Sequence, residues 1–514
     1  MRLIDFFDRR ANMHPAKPFL IDDESTRTYG ETQAATHCIA NVLIELDCRP
    51  GTKVAVFSPN RGQSFECILG LLRASCVWVP LNSKNGLEEN CHILRSFDVE
   101  ILLYHSSLQD SVEAYRARVP GLRHALRMDG AVPGSVEQLM QTVPASATLD
   151  LAMVPNEVTT VFPTGGTTGL SKGASWTHHT WQTMIANLWS AFPAHKDPVN
   201  LVVAPMTHAA GAVAMILMAA GATLVILPGF SQKRVPEAIE RHAVTHLFLP
   251  PTAIYMLLAD PDVRRWNYSS LEYFIYAAAP MSVDKLREAV GIFGPVMAQT
   301  FGQAEAPMFC TALTPEDHRI ALSDHPARLS SCGRPCLLSD VAIMGDNGQI
   351  LNVGEVGEIV IRGPLVMSGY YRNLEATAEA SRFGWHHTSD LGYRDADGFV
   401  YIVDRKRDMI ISGGFNIYPS EIEQVIWGHP GVQDCVVIGV PDEKWGERVK
   451  AFIEPKPGEN VSVASVDAMC RDNLGSVKTP KEYEIRAELP RSAVGKVLKR
   501  ALRDEAWKDA GRRI

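Results

Sequence analysis

The sequence predicts an α/β protein: a large N-terminal domain of doubly wound sheets, a small β-barrel-like subdomain, and a mobile small α+β domain at the C-terminal end. Three observations predict it. Between residues 30 and 260, helical stretches alternate with short β-branched runs. From about residue 340 the runs shorten and are separated by Gly, Asn and Asp. After Asp404 a further segment carries helix and strand signals of its own. At 514 residues the chain exceeds what one core accommodates. The boundary is placed so that residues 1–404 form the large domain and residues 405–514 the small one.

Taken in order, the opening "MRLIDFFDRRANMHPAKPFL" lacks an uninterrupted apolar stretch of the secretory kind, and Leu3, Phe6 and Phe7 suggest a short amphipathic helix. A cytoplasmic protein is expected. The runs "KVAVFS" (53–58), "VEILLY" (99–104), "LVVAP" (201–205) and "THLFLP" (245–250) are continuous apolar strands of parallel sheets buried on both faces. Residues 211–227, "GAVAMILMAAGATLVIL", approach the length of a membrane span. Gly221, Thr223 and the following Pro228-Gly229 break the segment into a buried helix, a turn and a buried strand, so no transmembrane segment is expected. "SDVAIMGDNGQIL", "GEVGEIVIRG" and "DGFVYIVD" read as short strands of a small antiparallel or barrel-like region. In "YPSEIEQVIWGHPGVQDCVVIGV", Ser420 and Glu423 have the spacing of a capping box, Ile422, Val425 and Ile426 form an apolar stripe, and residues 436–440 form a strand.

Composition limits the function classes. The formal charge is −8 and no basic block occurs, which argues against nucleic acid or an anionic membrane as the main partner. The ten cysteines include no C-x-x-C pair, and the histidines no H-E-x-x-H, so buried or free thiols and no structural metal are expected.

The most informative stretch is "TVFPTGGTTGLSKGASWTHH" (160–179). Residues 158–162, "VTTVF", read as a strand stopped by Pro163. Thr177 can cap a helix with Trp181, Ile185, Leu188 and Phe192 on one face, so the layout expected is strand, loop, helix. A P-loop would need Ser or Thr after Lys172, where Gly173 stands. A nucleophile elbow would need Ser171 on a sharp strand-to-helix turn, yet it lies well beyond the strand. The remaining functional reading is a phosphate cradle: backbone N–H groups freed by glycine, hydroxyls at Thr164, Thr167 and Thr168, and the charge of Lys172.

"TGGTTGLSKG" (164–173) resembles the phosphate loop of the adenylate-forming superfamily, which includes acyl-CoA synthetases, non-ribosomal adenylation domains and luciferases. Further resemblances follow in the family's order. They are "APMTHAAG" (204–211), "AAAPMS" (277–282), "QTFGQAEAP" (299–307), the run from "GWHHTSD" through "ISGGFNIYPSEIE" (384–423), and "PRSAVGKVLKR" (490–500). The series spans essentially the whole chain and is most similar to bacterial fatty- and aryl-acyl-CoA synthetases.

The resemblance implies two steps. A carboxylate attacks the α-phosphate of ATP to give an acyl-adenylate and pyrophosphate, and coenzyme A then displaces AMP. It implies that Thr164, Gly165, Gly166, Thr167, Thr168, Gly169 and Lys172 hold phosphates, that Ala278, Ala279, Phe301 and Gly302 contact the nucleotide, and that Glu305 ligates Mg²⁺. Asp390 would accept the ribose hydroxyls with Arg405 nearby, and Lys496 would stabilise charge on the reacting phosphate. A hinge at Arg407 would swing Lys496 out and bring in Gly413 and Gly414, which leave room for the pantetheine arm. His208 would stand between acyl pocket and thiol tunnel. No aspartate follows it to pair an ammonium, so the acid implied is fatty or aryl without an α-amine, and residues 209–212 leave room for its bulk. The pattern His386 to Asp390 also reads H-x-x-x-D, which is taken as coincidence.

Three positions depart from the family pattern. Ala304 stands where threonine is usual; an unreplaced hydroxyl costs about 1.5–3 kcal/mol, roughly ten- to a hundredfold in rate. Gln303 and Thr300 are the candidates to compensate. Ser389 replaces a glycine and Ser171 a proline, both compatible with negative φ. Alternatives kept open are transfer to a carrier protein, a catalytically weakened binding paralogue, and a hydrolase using Ser171. The oligomeric state is open, a homodimer included.

Overall fold

The computed structural model describes residues 1–145, 157–164, 171–279, 281–491 and 497–508. Two large sheets dominate. In the first, His124–Arg127, Val99–Tyr104, Lys53–Phe57, Val77–Leu81 and Val158–Pro163 lie parallel in that spatial order, and Gly173–Thr177 pairs antiparallel with the last. In the second, Pro18–Ile21, Thr223–Ile226, Val199–Val202, His246–Leu249, Tyr273–Tyr276 and Met297–Gln303 are parallel. Thr26–Thr28 at one edge, and Ala306–Leu313 with Arg334–Pro335 at the other, add antiparallel strands.

The strands read as apolar runs because both faces are buried. Along Lys53–Phe57, Val54 and Val56 face a core shared by the two sheets, while Ala55 and Phe57 face a separate core against Leu87–Ser96 and Gln109–Arg118. On the second sheet, Leu224 and Ile226 face the shared core and Val225 the outer one, under Arg234–His242, Pro251–Leu258 and Val283–Phe293. Helices Tyr29–Glu45, Gly62–Arg73, His178–Ala191 and Ala209–Met218 fill the space between the sheets. Each side chain fully buried there contributes about 1.5–3 kcal/mol, which is why the period-2 split carries the fold.

Residues 211–227 form a buried helix and the strand Thr223–Ile226, and no helix among the described residues is long and apolar enough to cross a membrane. All ten cysteines are buried free thiols. A third, antiparallel sheet follows, in the order Asp340–Met344, Gly357–Arg362, His386–Arg394, Val400–Arg405. The last sheet runs Phe415–Ile417, Ile410–Ser412, Gly446–Pro455, Val432–Asp442, with Glu482–Ile485 parallel to Gly446–Pro455. Its core, from Ile410 to Cys470, is separate from the others.

Two local readings need correction. The segment after the glycine–threonine loop is not directly helical: Gly173–Thr177 forms a strand first, so the layout is strand, loop, strand, helix. Its residues are small, and pairing with Val158–Pro163 makes it a strand. Thr177 then caps the helix as expected, its hydroxyl accepting from the Thr180 N–H. The Ser420–Glu423 capping box does not form. Tyr418 is the N-cap and Pro419 the first helical residue. Ser420 donates instead to the Val403 carbonyl, and the Glu423 carboxylate accepts from the Val437 N–H at 2.8 Å.

Candidate active site

The candidate residues of the first 305 positions cluster for a topological reason. Thr164 follows the C-terminal end of Val158–Pro163, His208 that of Val199–Val202, Ala278 and Ala279 that of Tyr273–Tyr276, and Glu305 that of Met297–Gln303. All these strands are parallel within their sheets, and ligands of open α/β sheets bind in the crevice outside such ends.

The base of the glycine–threonine loop is closed by Thr164 and Lys172. The Thr164 N–H donates to the Lys172 carbonyl at 2.8 Å, and the Lys172 N–H to Thr164 Oγ1 at 3.3 Å. Ser171 Oγ donates to the Thr164 carbonyl at 2.8 Å. The proposed holders Gly165, Gly166, Thr167, Thr168 and Gly169 lie outside the described residues, as does Lys496. Lys172 Nζ sits 5.0 Å from the centroid of the Tyr370 ring.

Glu305 occupies the turn between Met297–Gln303 and Ala306–Leu313. The Tyr370 hydroxyl donates to Glu305 Oε1 at 2.7 Å, and the Met367 N–H to the Glu305 carbonyl at 2.8 Å. Nothing in the local sequence flags Tyr370, because its partners lie far away along the chain. Gly302 is required by the turn itself: a Cβ there would lie 2.4 Å from the Met308 nitrogen. Phe301 packs into the shared core. Of the two expected substitutes for the missing threonine hydroxyl, Gln303 is engaged elsewhere and Thr300 is uncommitted. Gln303 Nε2 donates to the Thr388 carbonyl at 3.3 Å, and Thr300 Oγ1 is buried with no partner.

His208 is the N-cap of Ala209–Met218, with Nδ1 3.0 Å from Thr207 Oγ1. Its ring meets Phe162 edge-on at 6.3 Å, and Phe162 stacks on Trp176 at 4.5 Å. Trp176 Nε1 in turn donates to the Ala304 carbonyl at 2.7 Å, linking the histidine wall to the glutamate turn. Burial pushes the His208 imidazole down to about 4, so it is neutral at pH 7. The small residues after it are explained by packing as well as by room for substrate. A Cβ at Gly211 would lie 1.8 Å from the Met206 oxygen, and Ala210 and Ala212 are buried in the core.

Asp390 and Arg405 are direct partners across adjacent antiparallel strands, with Arg405 Nε 3.3 Å from Asp390 Oδ1. The preceding Ser389 has φ +61°, not the negative value that would make serine a neutral replacement for glycine. Its N–H donates to Glu358 Oε1 at 2.9 Å, and its carbonyl accepts from the Lys406 N–H at 2.9 Å. Gly413 and Gly414 form the tip between Ile410–Ser412 and Phe415–Ile417, with φ +57° and +84°. There the Gly413 N–H donates to the Trp445 carbonyl at 2.9 Å.

The family model of AMP-binding enzymes matches residues 7–371, and that of the AMP-binding enzyme C-terminal domain matches residues 421–496. The chain is 32% identical over 517 residues to the medium/long-chain-fatty-acid–CoA ligase FadD8 of Mycobacterium tuberculosis, covering 98% of this chain and 89% of that protein. It is 34% identical over 501 residues to a feruloyl-CoA synthase of Amycolatopsis, covering 96% and 97%. Among solved structures, ATP-bound MatB from Rhodopseudomonas palustris superposes with a TM-score of 0.89 at 28% identity, over 100% of both chains. The chain therefore belongs to the adenylate-forming AMP-binding enzymes, among their acid–coenzyme A ligases.

Proposed function

We propose that the protein activates a fatty or aryl carboxylic acid with ATP to an acyl-adenylate, releasing pyrophosphate, and then forms the coenzyme A thioester with release of AMP. The observation that carries this reading is the gathering of Lys172, Glu305 and His208 around the carboxyl ends of the parallel strands, with Gln303 tying the same turn to the strand of Asp390. Lys172 and Thr164 bind phosphate, Asp390 accepts the ribose hydroxyls, and Arg405 orients Asp390. Ala278 and Ala279 line the adenine side. Lys496 acts on the reacting phosphate.

The residues present fit Mg²⁺. Among the described residues no group of three His, Cys, Asp or Glu would hold a metal by protein ligands alone. A single carboxylate steadied by a phenol suits an ion shared mainly with phosphate oxygens and water. Glu305 would hold it, and the ion would supply neutralisation of phosphate charge.

Substrate class follows from His208. Burial alone sets its neutrality, and it meets the ring of Phe162, which itself stacks on Trp176. Among the described residues no charged group acts on His208, so a second carboxylate or an ammonium on the acid would be desolvated there without a charged partner among them. For the C-terminal region we adopt residues 405–514 as one unit hinged at Arg407, in which Gly413 and Gly414 make room for pantetheine. Supporting this, Val400–Arg405 pairs in the third sheet whereas Ile410–Ser412 begins the last one.

Acid-dependent ATP–pyrophosphate exchange across a hydroxamate-trapped panel of fatty and aryl acids tests the first step. Product analysis with coenzyme A, against a phosphopantetheinylated carrier protein as rival acceptor, tests the second. Thioester and AMP are expected with free coenzyme A; release of ADP would overturn the reading.

A further inference from the structure

We propose that Tyr370 is a positioning residue for adenylation, its phenol fixing the Glu305 carboxylate and its ring seating the Lys172 ammonium so that both face the triphosphate as one unit. This rests on the roles assigned above to Glu305 and Lys172. The hydroxyl-to-carboxylate hydrogen bond is 2.7 Å, and Lys172 Nζ is 5.0 Å from the ring centroid, within cation–π range. The ring is an uncharged seat for the ammonium. A direct pair between Lys172 and Glu305 would instead spend on each other the two charges that the phosphates and their counter-ion require.

Backbone geometry gives the tyrosine its fixed place. Residues 367–371 cross from the turn of Glu305 to the strand leaving the glycine–threonine loop. The Met367 N–H donates to the Glu305 carbonyl at 2.8 Å, the Ser368 N–H to the Ser175 carbonyl at 2.9 Å, and the Ser175 N–H to the Gly369 carbonyl at 3.0 Å. Ala174 bridges Tyr370 directly, and the Tyr371 N–H donates to the Gly173 carbonyl at 2.7 Å. Beyond the site, the Tyr370 N–H is held by Thr377 Oγ1 at 2.9 Å and the Tyr371 hydroxyl by Asp98 at 2.8 Å. One strap therefore joins the two chain segments that carry Lys172 and Glu305. Ala304 supplies no hydroxyl in this turn, and among the described residues it is the Tyr370 phenol that is seen to reach Glu305.

The test compares Tyr370→Phe, Tyr370→Leu and Glu305→Gln. Two quantities are read for each: the Mg²⁺ concentration half-saturating pyrophosphate exchange, and the affinity for ATP in EDTA by calorimetry. Removing a hydrogen bond that orients a metal-binding carboxylate costs about tenfold in metal affinity. Tyr370→Phe is therefore expected to raise half-saturating Mg²⁺ about tenfold while binding ATP in EDTA like the wild type. Tyr370→Leu, without the ring, is expected to lose a further two- to fivefold in ATP affinity in EDTA, roughly the worth of an exposed cation–π contact. Formation of thioester from preformed acyl-adenylate should be unchanged in both. If Glu305→Gln shifts the Mg²⁺ dependence and Tyr370→Phe does not, the role of Tyr370 is overturned and that of Glu305 stands. If Glu305→Gln leaves it unmoved, the metal role of Glu305 fails and this inference with it. Loss of ATP binding in EDTA by Tyr370→Phe also overturns it, because the ring alone should seat Lys172.

Discussion

Lys499 Nζ lies 2.8 Å from Glu423 Oε1, tying helix Lys499–Ala506 to helix Pro419–Trp427 a few residues after Lys496 in sequence. The chain just before residue 492 is held as firmly. Arg491 pairs with Asp434 at 2.9 Å and Glu454 at 3.0 Å, and Arg491 and Val497 form a β-bridge. The Leu498 N–H donates to the Pro490 carbonyl at 2.8 Å. The chain on either side of residues 492–496 is thus anchored.

Glu423 is buried and Lys499 half-buried, so removing the carboxylate leaves a poorly solvated ammonium. Glu423→Ala is expected to destabilise the protein by about 2–4 kcal/mol, toward the lower end because Lys499 keeps some access to water. Urea unfolding measures this. Pyrophosphate exchange should fall more than thioester formation from preformed adenylate, because only the former needs Lys496.

Ser389, at φ +61° beside Asp390, carries strain that glycine would not. A left-handed conformation costs a residue with a Cβ about 1–2 kcal/mol, partly offset by the greater freedom of unfolded glycine. Ser389→Gly is expected to stabilise the protein by about 0.5–1 kcal/mol, and Ser389→Val to destabilise it by more than about 1 kcal/mol. Denaturant midpoints with unchanged slopes would check both. The KM for ATP should rise only in the valine variant, where Asp390 is displaced.

These two sites also show what could be read from sequence. Thr177 capped its helix as expected because a cap depends on residues within one turn. The paired cores along Lys53–Phe57 were legible because two buried faces leave an unbroken apolar run. Ser420 and Glu423 had an equally clear local pattern, but Val403, Val437 and Lys499 compete for the same atoms and win. The strand Gly173–Thr177 is set by its partner, the sign of φ at Ser389 by the strands around it, and Tyr370 by contacts with distant segments. Motif resemblance named Glu305 and Lys172 as candidates for the ligand, and Tyr370 contacts both. The resemblance was silent on Tyr370.

Stability should fall in mild acid. His246, His318 and His386 are buried, and burial pushes each imidazole down to about 4. Unfolded histidine takes up its proton near 6.5, so between about pH 6.5 and 4 the unfolded chain binds more protons than the folded one. The stabilisation is complete above that window and is lost as pH falls through it, by up to about 3 kcal/mol per residue. Urea unfolding at a series of pH values measures the slope. His246→Phe, which keeps the ring contacts with Trp189 and Tyr273, should flatten it.

His208 makes a kinetic prediction of the same origin. Neutral down to about 4, it contributes no ionisation to either half-reaction between pH 5.5 and 8. Thioester formation from isolated acyl-adenylate should therefore show the same pH profile in His208→Gln as in the wild type, at a lower rate. A limb near pH 6.5 present only in the wild type would assign His208 a proton-transferring role.

Ala304→Thr tests whether the departure from the family pattern limits catalysis. The backbone there is held through the Ala304 carbonyl by Trp176, so a new side chain leaves the anchor intact. Gln303 is engaged by the Thr388 carbonyl, which leaves the partnerless Thr300 hydroxyl as the remaining candidate to compensate. A hydroxyl donating to a phosphate oxygen contributes about 1.5–3 kcal/mol. Ala304→Thr should therefore raise kcat/KM for ATP about tenfold or more in pyrophosphate exchange, without altering thioester formation. A gain confined to the first half-reaction would show an intact catalyst short of one donor. No gain from an inactive wild type would instead favour a binding paralogue, in which more than one function has been lost.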